Sequence, residues 1–242
     1  RQLEGIGVSF VFGDPVRSVE AADREVTMTL ENAGAQDFDI ALIAAGRQSN
    51  TQDLGLENIG VKLGDRGLIL VNEKYQTSVP NVYAAGDVIG FPALAATSME
   101  QARVAMIHAF GKDHEERLSP VLPFAVYAIP EVSMVGKTED ECKAGGLPYI
   151  VGRAYYEDNA RGQIIGDMSG MVKLIFSPAD RKLLGVHIIG EQAAELVHIG
   201  VQLMMANGEV GEFVHTVFNY PTLSDLYKAA AHDGLSQINA GG

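Results

Sequence analysis

The sequence is poor in cysteine, with one residue, Cys142, in 242. A lone thiol excludes an internal disulfide and any zinc cluster built from thiolates. It lies in Thr138-Glu139-Asp140-Glu141-Cys142, which reads as the acidic first turns of a helix capped by Thr138, and so as a structural thiol rather than a nucleophile. Basic residues are scarce too: 18 Lys and Arg against 31 Asp and Glu leave a formal charge of −13. Nucleic acid and a polybasic membrane contact both need a basic face, so neither is expected as a partner. No apolar run approaches the roughly 18 residues of a membrane span. No secretory signal is legible at the start, and a cytoplasmic setting is expected. His108, His114, His187 and His232 lack metal-ligand spacing, so no metal is expected. Absent as well is the G-x-G-x-x-G loop that cradles a pyrophosphate. Its nearest approach, Gly5-Ile6-Gly7, has Phe10 where the last glycine belongs. What remains is ordinary globular composition, 47% apolar and 20% charged, long enough for one large domain or two smaller ones.

The most informative stretch present is Asn81-Val82-Tyr83-Ala84-Ala85-Gly86-Asp87-Val88. Small residues running into Gly-Asp at the end of an apolar strand suit a backbone that passes close to a ligand and then places one carboxylate. Gly86 has no Cβ, and Asp87 would emerge at the strand's carboxyl end, where open α/β sheets bind ligands. That carboxylate can accept two hydrogen bonds from sugar-like hydroxyls. A helix is expected from 94 to 110, its first amides beside Asp87. An ordinary strand-to-helix turn with an Asp cap fits the same residues.

Wider similarity bears on that choice. Asp39-Ile40-Ala41-Leu42-Ile43-Ala44-Ala45-Gly46-Arg47-Gln48-Ser49-Asn50, followed by residues 81 to 95, resembles the flavin-dependent disulfide oxidoreductase superfamily, and the resemblance runs the length of the chain. It implies that Asp87 holds the ribityl chain of FAD, with Gly86 close to the cofactor. Ala93, Leu94, Ala95 and Ala96 would bring helix-start amides to the flavin, where they favour negative charge on the reduced ring. Gly46 and Arg47 would border NAD(P). Without its phosphate loop a dinucleotide-binding protein is incomplete, and the chain opens on Arg1 rather than Met. The expectation is therefore the carboxyl-terminal half of a longer polypeptide.

Near the end, Phe218-Asn219-Tyr220-Pro221-Thr222-Leu223-Ser224-Asp225 resembles the superfamily's His-Pro-Thr-x-Ser-Glu segment with both chemical residues changed. Tyr220 stands where the reductases place an acid/base His, and Asp225 where a Glu orients it. A phenol with a reference pKa of about 10 does not exchange protons near neutrality as an imidazole does. The segment is similar to the soluble, Si-specific pyridine nucleotide transhydrogenase branch, as are 147–154, 190–195 and 197–200. That branch implies hydride transfer between NADPH and NAD on FAD, with no protein nucleophile. Tyr220 and Asp225 are then candidate catalytic residues, neither firm. Interface packing by Tyr220 and helix capping by Asp225 fit equally. The resemblance implies a cis Tyr220-Pro221 bond and a Tyr220 near the partner subunit's flavin. His215 is a substitute imidazole offset from the motif, and His198 reads as a packing or interface residue. A disulfide reductase like dihydrolipoamide dehydrogenase, needing an upstream C-x4-C pair, is the alternative. The isolated chain could also be a non-catalytic dimerisation module.

The expected organisation has three parts. Residues 1–50 would end an NAD(P)-binding domain, with strands Val8-Phe12, Val16-Glu20, Val26-Leu30 and Asp39-Ala44. Ile40 to Ala45 is apolar enough for a strand buried on both faces. Residues 51–118 would form the carboxyl-terminal part of a Rossmann-like FAD domain, with a strand Leu68 to Val71 and a charged connector 112–117. Residues 119–242 would be an antiparallel sheet with covering helices, making a homodimer. Its strands are expected at Phe124-Ile129, Glu131-Gly136, Pro148-Tyr156, Met171-Phe176 and Leu183-Ile189. Its helices are expected at Glu139 to Ala144, Glu191 to Ala206 and Leu223 to Leu235. Ala193, Leu196, Val197, Gly200 and Met204 make one apolar face of the second helix. Residues 240–242 read as a frayed tail.

Overall fold

A strand exists only if its backbone groups find an edge to pair with, and this requirement sorts the first 50 residues. The computed structural model describes residues 2–111 and 117–240, side chains of 239 and 240 excepted. The chain divides into two units, Arg1–Asn50 and Thr51–Gly242. In the first, a short helix α1 (Gln2–Gly5) precedes three strands: β1 (Val16–Ala21), β2 (Val26–Leu30) and β3 (Gly34–Phe38). They form an antiparallel meander with Val19, Met28 and Gln36 in one row. Asp14 clasps the β2–β3 turn, accepting the Asn32 amide at 2.8 Å and the Ala33 amide at 2.9 Å. These bonds, that from Asn32 foremost, hold the Asp14 carboxyl below the usual carboxylate range.

Two expected strands do not form. Val8-Phe12 and Asp39-Ala44 are irregular, and Phe12, Ile40 and Leu42 are 85%, 83% and 89% exposed. Apolar content marks them as strand material, but pairing is what makes a strand, and neither run pairs among the described residues. β3 falls instead on 34–38, a polar stretch that alternation alone does not single out.

In the second unit, residues 51–90 are mostly turns. Leu68-Val71 reduces to a bridge between Leu63 and Ile69, and the segment before Asp87 to a bridge between Gln76 and Tyr83. Helix α2 (Ala95–Phe110) follows, burying Thr97, Gln101, Val104, Ala105 and Ile107. The connector at 112–116, His114 and the tail at 241–242 lie outside the described residues.

The last 120 residues carry the main core. Strands β4 (Phe124–Val126), β5 (Val132–Gly136), β6 (Ile150–Tyr155), β7 (Met171–Phe176) and β8 (Leu183–Ile189) form an antiparallel sheet in the order β4-β5-β8-β7-β6. Helices α5 (Ala193–Met205) and α7 (Leu226–Ala240) contribute to one core cluster with Val135, Leu174, Val186 and Ile188 of this sheet. The buried face of α5 is Ala193, Leu196, Val197, Gly200 and Val201, with Met204 partly buried at its margin. Tyr227 of α7 pushes its hydroxyl into the α5 ladder, donating to the Leu196 carbonyl at 2.8 Å and accepting the Gly200 amide at 3.3 Å. Where α7 crosses β6 the backbones meet, and a Cβ on Gly152 would be driven into the Ala230 carbonyl. The same helix satisfies the outward groups of β6. Asp233 accepts the Arg153 amide at 2.8 Å, and the Gln237 amide donates to the Val151 carbonyl at 2.8 Å.

The sheet row Met134–His187–Lys173–Arg153 carries charge. Helix α3 (Glu139–Ala144) sends Glu139 to Lys173 at 2.9 Å and to Arg153 at 3.4 Å. The Lys173 hydrogen bond foremost holds the Glu139 carboxyl below its ordinary range. His187 has both ring nitrogens buried without a hydrogen bond among the described residues, and burial pushes its pKa down to about 4. It is a neutral packing residue. Thr138 caps α3 as its sequence implies, in a reciprocal box with Glu141, and Cys142 behind it is fully buried.

Candidate functional site

Gly86 and Asp87 stand at the end of the bridged segment, but the carboxylate leaves from a 3-10 turn (Asp87–Ile89) rather than from a strand. Gly86 is buried at φ 85, and an added Cβ would lie 3.0 Å from the Ser98 hydroxyl. Its glycine is therefore required by helix α2 and by a left-handed backbone. Asp87 is exposed immediately beyond it. Ala95 opens α2, one residue later than expected, and Leu94 at the N-cap makes no side-chain cap bond to the first-turn amides. Ala93, Ala95 and Ala96 are exposed and Leu94 half-buried. The helix start thus offers backbone donors in a small-residue setting, as an anionic or electron-rich ligand edge requires.

Gln101 holds this arrangement together. It is 2% exposed, on the buried face of α2, and its Oε1 accepts the Gly86 amide at 2.7 Å. Sequence inspection passes over it, although a polar residue between Thr97 and Val104 on one helix face is a legible signal. Replacing it with leucine removes the acceptor of a buried amide, which costs about 1–3 kcal/mol. Gln101→Leu should lower the urea midpoint of the chain accordingly and speed exchange of the Gly86 amide. An unchanged midpoint and exchange rate would mean that the turn is held by something else.

In the first unit Gly46 takes φ 125 with open space around its Cα, and Arg47 is exposed.

The second cluster of candidates lies in the dimerisation-like region. Helix α6 (Gly211–His215) ends at an exposed His215. The chain then runs through Val217, 92% exposed, to Tyr220, 75% exposed, whose bond to Pro221 is cis as expected. Phe218 packs at the core margin and Leu223 is buried in it, so the turn between them projects. It adjoins an apolar groove of about 310 Å³ lined by Ile199, Leu203, Phe213 and Phe218. Thr222 folds its hydroxyl onto the Asn219 carbonyl at 2.7 Å. A 3-10 turn (Leu223–Asp225) with Thr222 at its N-cap leads into α7, and Asp225 is the residue immediately before that helix begins at Leu226. His215 makes no hydrogen bond to Tyr220 among the described residues, and His198 is an exposed residue of α5.

Behind the turn lies a six-residue helix, α4 (Ala160–Ile165), which was not expected. Its N-cap, Asn159, accepts the Arg161 amide at 2.9 Å and the Gly162 amide at 3.1 Å. The same side chain donates to the Thr222 carbonyl at 3.2 Å.

An antiparallel three-stranded meander, an Asp-bearing turn ahead of a small-residue helix, and a five-stranded antiparallel sheet with a Tyr-Pro turn define a class. Residues 1–109 match the pyridine nucleotide-disulphide oxidoreductase family, and residues 122–231 match its dimerisation domain. The chain belongs to the pyridine nucleotide-disulphide oxidoreductase family. It is 47% identical over 98% of its length to a soluble pyridine nucleotide transhydrogenase of Mycobacterium bovis, and 43% identical over 96% to one of Marinomonas. The chain spans about half the length of these curated relatives, 51% and 50%. Among solved structures, LpdA from Mycobacterium tuberculosis superposes at TM-score 0.80 with 28% identity, covering 96% of this chain and 50% of that one. The HOCl-induced flavoprotein disulfide reductase RclA from Escherichia coli superposes at 0.87 with 24% identity over 96% of this chain and 53% of that one, a likeness of fold.

Proposed function

We propose that this chain is the carboxyl-terminal half of an FAD enzyme transferring hydride between NADPH and NAD. The observation that carries the reading is Tyr220, a projecting phenol at the position where the disulfide reductases need an imidazole, in a chain whose 47%-identical relative is named a soluble transhydrogenase. Residues 1–50 would complete an NAD(P) domain, 51–118 an FAD domain, and 119–242 would pair two copies.

The residues present fit a flavin. Gly86 and Gln101 fix the turn that carries the exposed Asp87, which would hold ribityl hydroxyls, and the start of α2 at Ala95 and Ala96, without a side-chain cap, would offer its amides to the flavin. Bound flavin supplies hydride acceptance and return, chemistry that needs no protein nucleophile. The chain's residues then bind, orient and exclude water. Asp87 would position the cofactor, the α2 amides would favour negative charge beside them, and Gly46 with Arg47 would border the nicotinamide dinucleotide. Tyr220, on the projecting turn, would face the partner's cofactor as a packing and hydrogen-bonding residue. Asp225 would influence the turn from α7's approach. No helix among the described residues is long and apolar enough to cross a membrane.

The test is NADPH-dependent reduction of an NAD analogue by the complete polypeptide, with lipoamide assayed in parallel. Rapid transfer without lipoamide turnover is expected. Lipoamide turnover with little transfer would instead make the protein a disulfide reductase and demand another base.

A further inference from the structure

We propose that Asn159 is the positioning residue of the Tyr220 turn, presenting the phenol through one amide donor on the Thr222 carbonyl. This deepens the reading of Tyr220 given above and rests on it for its functional meaning. The geometry stands separately. Phe218 and Leu223 anchor the two ends of the turn in the core, while Val217 and Tyr220 project into solvent. The Thr222 hydroxyl bond to Asn219 shapes the turn but ties it only to itself. Asn159, 63 residues away in sequence and 6% exposed, ties it to the body of the domain.

The choice of residue carries the argument. Asn, Asp and Ser serve about equally well at a helix N-cap, because each offers an acceptor to the first-turn amides. Capping α4 therefore does not require an amide side chain. Of the three, only Asn adds an N–H₂ donor, and the structure uses it. With Oδ1 engaged by the amides of Arg161 and Gly162, Nδ2 is left facing the Thr222 carbonyl, which fixes the flip of the amide by its bonding pattern. The cap itself is held in place. The Asn159 amide donates to the Tyr156 carbonyl at 3.0 Å, and Tyr156 is fully buried. The turn is thus tied to a fully buried point of the domain.

Asn159→Asp separates the two roles. It keeps both acceptor bonds to α4 but turns a carboxylate oxygen toward the Thr222 carbonyl, which repels it. Asn159→Ser keeps the cap and is too short to reach. The chain would be labelled with 3-fluorotyrosine and read by ¹⁹F NMR, the Tyr220 signal being assigned from its loss in Tyr220→Phe. Both Asn159 variants should move the Tyr220 resonance by more than its linewidth, while those of Tyr83 and Tyr227 stay in place and report an intact fold. A Tyr220 resonance unmoved in a folded variant would overturn the proposal, since a purely capping Asn159 predicts that result. Should neither variant fold, exchange of the Asn159 side-chain amide protons in the unsubstituted chain decides. Protection supports the bond, and exchange at the rate of a free amide overturns it. Neither readout needs flavin or nucleotide, so a failure here is distinct from a failure of hydride transfer.

Discussion

Gly152→Ala is expected to cost the chain about 3–5 kcal/mol, the largest effect of any single methyl group considered. The added Cβ would be driven into the Ala230 carbonyl and sit 2.9 Å from the Gly234 amide nitrogen. Both obstacles are backbone, so no rotamer change relieves them. Gly234 is closed in as well: its own Cβ would lie 2.5 Å from the Phe176 ring and 3.2 Å from the Gly152 Cα. The helix must therefore lift away from β6, and in lifting it gives up the Asp233 and Gln237 bonds to that strand. Steric cost and lost hydrogen bonds, each about 1 kcal/mol, add in the same direction. Urea unfolding of the chain measures the sum. Gly211→Ala is the control, since its Cβ meets nothing within 4 Å, and it should be near neutral. A Gly152→Ala variant as stable as Gly211→Ala would show that α7 is not seated on β6 as described.

Tyr156→Ala is the second large loss, about 3–5 kcal/mol by analogy with other buried aromatic truncations. The ring is fully buried with two glycines against it: a Cβ added at Gly170 would be driven into the ring, and one at Gly190 would lie 3.0 Å from it. Walls without side chains cannot collapse into the space left behind, so the cavity term stays large. Burial is the main cause raising the hydroxyl's pKa, and the group remains a donor to the Glu191 carbonyl at 2.9 Å. That bond joins two others at the entrance to α5: Asp167 on the Glu191 amide at 2.8 Å and Glu131 on the Ala194 amide at 2.9 Å. Tyr156→Phe keeps the ring and removes only the hydroxyl bond, about 1 kcal/mol. The difference between the two variants in the urea midpoint apportions ring and hydroxyl. Equal midpoints would mean that the ring contributes nothing beyond its hydroxyl.

Legibility in the sequence followed the range of the forces involved. β7 and β8 begin and end where their apolar alternation does, and α3 where Thr138 and Glu141 say it should, because those signals are local and self-sufficient. Helices α4 and α6, six and five residues long, are too short to show a period. Val8-Phe12 and Asp39-Ala44 carry the composition of strands, but composition does not supply a neighbour to pair with. Among the candidate residues, Gly86, Asp87 and Tyr220 stand out in the sequence by motif similarity, and Gln101 by its place on the apolar face of a helix. The bonding partners of Gln101 and Asn159 do not, because they lie 15 and 63 positions away. A side chain's partner at that distance is a property of the fold.

The seating of α7 on β6 has one more consequence. An uncovered strand can template a second molecule by offering its outward amides and carbonyls to a foreign backbone. Here the outward Arg153 amide and Val151 carbonyl of β6 are already occupied by Asp233 and Gln237. The carboxyl-terminal helix works as a chain terminator, ending ladder growth on that flank. At the opposite flank, β4 is three residues long and offers too little ladder to seed a polymer. Neither flank of the sheet thus invites fibrous association through its strands.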